Sequence, residues 1–349
     1  MKVIAVANSK GGVAKTTTCL SLGGSLAEQG NLVLLVDLDP QAHLTSSLGV
    51  RPDEVRRTVS DVLLNQDSLA AVSLETEVFG LDLAPANDEL VVIDKMLYRH
   101  PGYEYRLKTD VDNGRRWLYD VVIIDCPPTF GTVTINALTA ADLLIVPLQC
   151  EHYAVQSLIR MLDMVRVTRR KTNADLRYRL LVTMYDMRNK VHPMILRHLR
   201  DHFSDAVFDN LIQVDTKLRE SPAHAVPITE YAPKTRAAQQ YRALARELTA
   251  YLGLGRNRRR SIPSGRSVGR VGTDVGGSGA HPPISRSRGE DGDARGGEEA
   301  TGRRADAGSA AAGRRSAEEG SAPTLTSPPD GGQRPIKPMS KVLVGDNRR

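Results

Sequence analysis

The sequence predicts an α/β fold: a mostly parallel twisted sheet with helices on both faces, plus a disordered C-terminal tail. Near-continuous apolar runs of strand length (Val3 to Ala7, Leu32 to Val36, Val121 to Ile124, Leu143 to Pro147) alternate with stretches of helical apolar spacing. Strands without polar interruptions are those covered on both faces, which places helices on each side of a parallel sheet. Composition supplies the boundary, because it breaks sharply near Gly255. Residues 256–349 hold 18 Lys and Arg against 11 Asp and Glu, whereas 1–255 hold 29 against 30. The formal net charge of +6 for the 349 residues therefore belongs to the tail, which carries +7, while the preceding part is nearly neutral at −1. Seventeen of the 29 glycines lie in the tail and no Phe, Trp or Tyr does. Such a segment buries too little apolar surface to offset its ordering entropy. The expected organisation is a folded domain over 1–255 and a disordered Gly/Arg/Ser/Pro-rich basic tail over 256–349.

The first element, Val3 to Ala7, reads as a buried strand, and a polar turn follows it: Asn8-Ser9-Lys10-Gly11-Gly12-Val13-Ala14-Lys15-Thr16-Thr17. A helix-compatible segment, Thr17 to Gln29, comes next. Adjacent glycines let the backbone curl so that several N–H groups point into one concavity. That concavity sits at a helix N-terminus, where unpaired N–H groups and the helix dipole favour a bound phosphate. Lys15 supplies a full charge for the β- and γ-phosphates, and Thr16 a hydroxyl for Mg2+. The stretch reads as a P-loop, with the phosphate cradle spanning Lys10 to Thr17. It departs from G-x-x-x-x-G-K-[ST], because Ala14 stands where the last glycine falls and an extra lysine, Lys10, precedes the glycine pair.

The second strand, Leu32 to Val36, ends in Asp37-Leu38-Asp39-Pro40-Gln41, two carboxylates at the carboxyl end of a buried strand beside the P-loop. That is the position from which open α/β sheets act on ligands. Between Ser46 and Gly114 the signal weakens. Helical spacing appears at Val55 to Leu64 and Asp88 to Leu97, a short strand at Leu81 to Ala84, and a loop or broken helix over Arg99 to Arg116. Its Tyr103 and Tyr105 read as packing residues. Val121 to Ile124 leads to Asp125, a Walker B arrangement whose carboxylate holds Mg2+ together with the Thr16 hydroxyl. After the strand Leu143 to Pro147 come a helix over Ala154 to Arg170, a strand over Leu180 to Met184, a helix over Val191 to Phe203 and a long amphipathic helix over Thr235 to Leu252.

Read as K-G-G-x-x-K-T, the loop resembles the deviant Walker A motif of the ParA/MinD superfamily of partition ATPases, with Lys10 in the place of its signature lysine. Asp37 to Gln41 is similar to the family's VDxDPQ. Thr134 to Asp142 and Leu148 to Tyr153 resemble the corresponding parts of ParA/Soj-type proteins, and the likeness runs from Met1 to about Gly253. The resemblance implies a P-loop NTPase fold and a slow, Mg2+-dependent, partner-stimulated ATPase. By the same resemblance Asp39 positions the attacking water, Asp37 supports the metal shell, and Lys10 reaches the nucleotide of a facing subunit in an ATP-dependent homodimer. Gly11 then allows the close approach of the opposing backbone. It further implies non-specific DNA binding through Arg188 and Lys217, with Arg219, Arg197, Arg200 and Arg236 as neighbouring candidates, and release by a ParB-type partner. Two departures stand out: Lys217 replaces the usual arginine, and Gln213-Val214-Asp215 replaces the Pro-Arg-Asn that helps hold adenine.

Other classes fit less well. A MinD-like membrane ATPase needs a C-terminal amphipathic helix, and Val342-Leu343-Val344 is too short to anchor one. An iron–sulfur reductase subunit needs bridging cysteines, but Cys19, Cys126 and Cys150 are scattered and two of them follow strands. A biosynthetic ligase sharing the P-loop would need a substrate motif that is not evident. With no signal segment, no apolar run of spanning length and no helix-turn-helix ahead of the first strand, the expectation is a cytoplasmic, nucleoid-associated protein without sequence-specific DNA binding.

Overall fold

The computed structural model describes residues 1–65, 67–113, 119–151 and 154–254. The stretch 256–349, predicted to be disordered, lies outside them, as do His152 and Tyr153. Among the described residues one sheet has the strand order β3-β4-β2-β5-β1-β6-β7. These are β1 (Lys2–Val6), β2 (Val33–Asp37), β3 (Leu74–Glu75), β4 (Leu81–Ala84), β5 (Val121–Asp125), β6 (Leu143–Gln149) and β7 (Arg177–Thr183). All pairings are parallel except β3 with β4. The doubly wound sheet predicted from the apolar runs is therefore present, with the two-residue antiparallel β3 as an unpredicted edge.

Successive side chains of a strand point to opposite faces, and each face here has its own core. Val3, Ala5, Leu34, Val36, Val122 and Ile124 pack on one side, while Ile4, Val6, Val33, Leu35, Val121 and Ile123 pack on the other. The second face is covered by α1 (Lys15–Glu28) and α12 (Arg236–Leu252), with α2 (His43–Ser46), α10 (Thr216–Glu220) and α11 (Ile228–Tyr231) at its margin. The first face is covered by α3 (Val59–Asn65), α4 (Leu69–Val72), α5 (Leu90–Met96), α6 (Arg106–Asn113), α7 (Thr132–Ala140), α8 (Ala154–Lys171) and α9 (Val191–Phe203).

Local chemistry explains the boundaries. The spacing from Val55 suggests a longer helix, but α3 begins at Val59. Thr58 Oγ1 accepts from Ser60 N, and Asp61 Oδ2 accepts from Thr58 N, reciprocal bonds that satisfy amides at a helix start. Thr235 is likewise a cap, accepting from Ala238 N, and Gly253 closes α12 in the left-handed conformation (φ 63°). The polar stretch read as a loop or broken helix contains a single turn, Tyr103–Tyr105, followed by α6. Its Leu107 and Val111 reach the core one helical turn apart, a signal diluted by the charged residues around them. Tyr103 packs on that core, and Tyr105 donates to the Lys171 carbonyl. At Gly24 of α1 a Cβ would stand 2.6 Å from the Pro227 ring, so the helix approaches α11 only because that side chain is missing.

Candidate nucleotide site

The residues from Ala7 to Ala14 carry the chain from β1 to α1. Two of them take left-handed backbone: Gly12 at φ 72° and Ala14 at φ 67°. Glycine adopts this conformation freely; alanine does so at a cost of roughly 1–2 kcal/mol. The missing glycine of the usual pattern thus changes the residue but not the backbone shape. Ala14 offers no side-chain cap to α1, so the first amides of that helix and of the curled loop are available to an anion. Lys15 is buried at 8 % exposure, and its Nζ meets the Lys10 carbonyl at 3.4 Å.

Thr16 and Asp125, 109 residues apart, are joined: Thr16 Oγ1 donates to Asp125 Oδ2 at 2.6 Å. Parallel pairing in register sets Asp37 at the end of β2 beside Asp125 at the end of β5. Both carboxyls are buried and stand well above the usual carboxylate range, Asp37 chiefly through burial, Asp125 through burial and then the Asp37 charge. Asp125 Oδ1 is buried and receives no bond from a nitrogen or oxygen donor. Close by, the Cys19 thiol is pushed up by burial and by that carboxylate. A buried carboxylate oxygen without a nitrogen or oxygen donor, beside a threonine hydroxyl and a second carboxylate, suits a hard divalent cation. Among the described residues no group of three or more His, Cys, Asp or Glu forms a cage.

The two carboxylates after β2 are not equivalent. Asp37 Oδ1 accepts from Asp39 N, and its Oδ2 accepts from both Thr45 N and Thr45 Oγ1. The loop backbone and Thr45 therefore bond both oxygens, and Oδ1, with one donor, keeps a lone pair for the metal shell that the sequence expects Asp37 to support. Asp39 is less enclosed at 8 % exposure, with Oδ1 accepting from Gln41 N. Thr45 Oγ1 also accepts from Ala86 N, tying this loop to the end of β4. Nothing in the sequence pattern marks Thr45, whose role depends on a partner 41 residues away.

Lys10 turns toward the end of β6. Its Nζ lies 2.5 Å from Glu151 Oε2 and 3.4 Å from Gln149 Oε1. Gly11 is exposed, and a Cβ there would meet nothing within 4 Å. Arg188 lies on the loop after β7 and Lys217 at the start of α10, and the segments leading to them are sewn together by Tyr185 N to Ile212 O and Val214 N to Tyr185 O. Each is paired within the chain. Arg188 grips Asp186 through Nε and Nη2, and Lys217 Nζ donates to Glu220 at 2.7 Å. Arg219 is exposed on α10. Asp215, where the Asn of Pro-Arg-Asn would stand, accepts from Lys217 N and Ala237 N, so it holds α10 and α12 in place. Arg236 is taken up by the Val214 carbonyl and Arg200 approaches the Asp209 carbonyl.

Residues 1–178 match the AAA domain family. Over 250 residues the chain is 40% identical to the sporulation initiation inhibitor protein Soj of Bacillus subtilis, covering 71% of this chain and 98% of that protein. The chain belongs to the ParA/Soj family of P-loop ATPases. The chromosome partitioning protein ParA of Caulobacter vibrioides is similar as well, at 37% identity over 250 residues, 71% of this chain and 94% of that protein. Among solved structures, one described as cobyrinic acid a,c-diamide synthase from Mycobacterium smegmatis with bound ATP analog and magnesium is 39% identical, with a TM-score of 0.64. It covers 72% of this chain and 96% of that one. The Lys10–Thr17 loop, Asp39 and Asp125 thus belong to a ParA/Soj-family scaffold whose strand ends converge on one site.

Proposed function

We propose that this chain is a partition ATPase: it binds ATP with Mg2+, dimerises on it, holds DNA without sequence preference, and lets go when a ParB-type partner stimulates hydrolysis. The observation that carries the reading is the meeting of Lys15, Thr16, Asp39 and Asp125 at the carboxyl ends of β1, β2 and β5. In this reading the loop amides and Lys15 bind the phosphates, and Thr16 and Asp125 hold the magnesium ion. Magnesium supplies charge neutralisation at the transferring phosphoryl group. Asp39 orients the attacking water, and Asp37 acts through the loop by fixing Asp39 N and Thr45.

Dimerisation is supported by two features of the loop. Glycine at position 11 answers no steric demand within the chain, and the Lys10 ammonium is carried on Glu151 and Gln149 at the end of β6. A facing subunit gives both a purpose: close backbone approach at Gly11, and a cation supplied in trans to the γ-phosphate. Lys10→Ala should accordingly keep ATP affinity within about threefold while losing the ATP-dependent dimer, read by calorimetry and light scattering. Loss of ATP affinity equal to that of Lys15→Ala would remove this division of labour.

DNA binding through Arg188, Lys217 and Arg219 rests on their shared edge and exposure. Co-sedimentation with duplex DNA in ATP, ADP or no nucleotide tests the function directly, and ATP-dependent recovery with DNA is expected. Arg188→Ala or Lys217→Ala should weaken binding to any duplex alike, each lowering the salt slope by about one. ATP binding should persist in both. Repeating the assay on a chain cut after Gly255 separates any contribution of the basic stretch 256–349, and nucleotide-dependent binding is expected to survive. ATP-dependent recovery with liposomes instead would favour a MinD-like role, although no helix among the described residues is long and apolar enough to cross a membrane.

The similarity to a structure described as a diamide synthase raises a second reading, amide formation. An enzyme drawing ammonia from glutamine needs an accessible, activated cysteine. Cys19, Cys126 and Cys150 are all buried, and burial pushes each thiol above its usual range. The partition reading is the one the side chains favour.

A further inference from the structure

We propose that Gln149 and Thr183 are positioning residues for the phosphate site, acting by holding two peptide planes of the loop from behind. The inference rests on the reading of the loop as an ATP cradle. In a trans peptide the carbonyl and the N–H point in opposite directions, so anchoring one end aims the other. Gln149 Nε2, at the end of β6, donates to the Gly12 carbonyl at 2.9 Å. Thr183 Oγ1, at the end of β7, donates to the Val13 carbonyl at 3.0 Å and also lies 3.3 Å from the Leu148 carbonyl. The planes fixed in this way are Gly12–Val13 and Val13–Ala14, and the N–H groups they turn into the loop are those of Val13 and Ala14.

The strained residue makes the second anchor necessary. Ala14 holds φ 67° without the freedom of glycine, so releasing the Val13 carbonyl would let this plane rotate toward a right-handed conformation. That rotation turns the Ala14 N–H away from a bound phosphate. Thr183 is fully buried, and its hydroxyl is spent on these two carbonyls. Gln149 is oriented by the same logic: its oxygen faces the Lys10 ammonium, which leaves its amide NH2 for the loop. The arrangement draws on the sheet's own register, because β6 and β7 pair with Gln149 directly opposite Thr183.

The test measures Mg2+-dependent ADP and AMP affinity and steady-state hydrolysis on the full chain. Thr183→Val and Gln149→Leu should each weaken ADP about tenfold, the loss of one charge-assisted donor. AMP, which lacks the β-phosphate the loop grips, should change less than about threefold. KM should rise while kcat at saturating ATP stays within about twofold, and Thr183→Ser should restore ADP binding. Because Lys10→Ala is expected to leave ATP affinity nearly intact, a loss in Gln149→Leu is not inherited from the lysine contact. If Thr183→Val does not fold, the half-buried Gln149→Leu carries the test. Unchanged ADP affinity in the variants, or equal loss for AMP and ADP, overturns the proposal alone. A wild-type chain that binds no adenine nucleotide overturns the function reading with it.

Discussion

Lys15→Ala should abolish ATP binding at the concentrations that saturate the wild-type chain. Lys15 is the first residue of α1, and its ammonium is buried, within reach of the Lys10 carbonyl and in the field of the Asp125 carboxylate. A buried cation of this kind is costly in isolation and favourable only beside an anion, so its free energy is realised on phosphate binding. Removing it costs the charge-assisted bonds to phosphate, roughly 3 kcal/mol or more, and leaves the phosphate charge without its nearest counterion. A drop of at least a hundredfold in ATP affinity is expected by titration calorimetry. The melting temperature of the nucleotide-free chain should move little, because the side chain spans only to a carbonyl five residues away. ATP binding within threefold of wild type would show that the loop amides alone form the site.

Asp39→Ala should bind ATP and fail to turn it over. Asp39 stands two residues beyond β2 with one oxygen on Gln41 N, and its side chain makes no hydrogen bond to the loop that receives the phosphates. Its removal therefore spares binding and costs the positioning of the water, a step worth about 10²–10⁴ in rate. ATP should stay bound for long periods, and any nucleotide-dependent complex with DNA should persist after free ATP is removed. Asp37→Ala should behave differently. It releases Asp39 N, Thr45 N and Thr45 Oγ1 together, so it disorders the turn and destabilises the fold as well as stopping hydrolysis. Thermal unfolding distinguishes the two variants, and wild-type turnover by Asp39→Ala would require another residue to orient the water.

The sheet was legible because each central strand is an apolar run with a distinctive end. Asp37 and Asp125 lie at the same level because parallel register demands it, and Thr16 meets Asp125 because the P-loop returns the chain to the carboxyl edge. The elements that stayed hidden are those in which position depends on distant partners. α6 carries two core residues within a charged stretch, α2 is four residues long, and β3 exists only as a lattice of bonds to β4. Within the site the same distinction holds. Lys15, Thr16, Asp39 and Asp125 announce themselves by motif. Thr45, Gln149 and Thr183 are common polar residues whose roles come from carbonyls and amides 41, 137 and 170 positions away. The pairing of Arg188 with Asp186 is local in sequence, yet a two-residue separation gives no hint that the guanidinium closes both of its prongs on one carboxylate.

The alanine in the phosphate loop has a thermodynamic consequence of its own. Where the common pattern has glycine, the unfolded loop explores a wide conformational space; alanine narrows that space and makes the unfolded chain less disordered by about 0.4–1 kcal/mol. The left-handed conformation at Ala14 costs roughly 1–2 kcal/mol as strain, which exceeds that gain. Alanine there is therefore a net cost to global stability, and it also changes the energy surface of the loop. Glycine permits a shallow basin with several exits, whereas alanine permits two steep wells separated by a barrier. The cost of alanine is therefore borne in the loop itself, at the residue that opens α1.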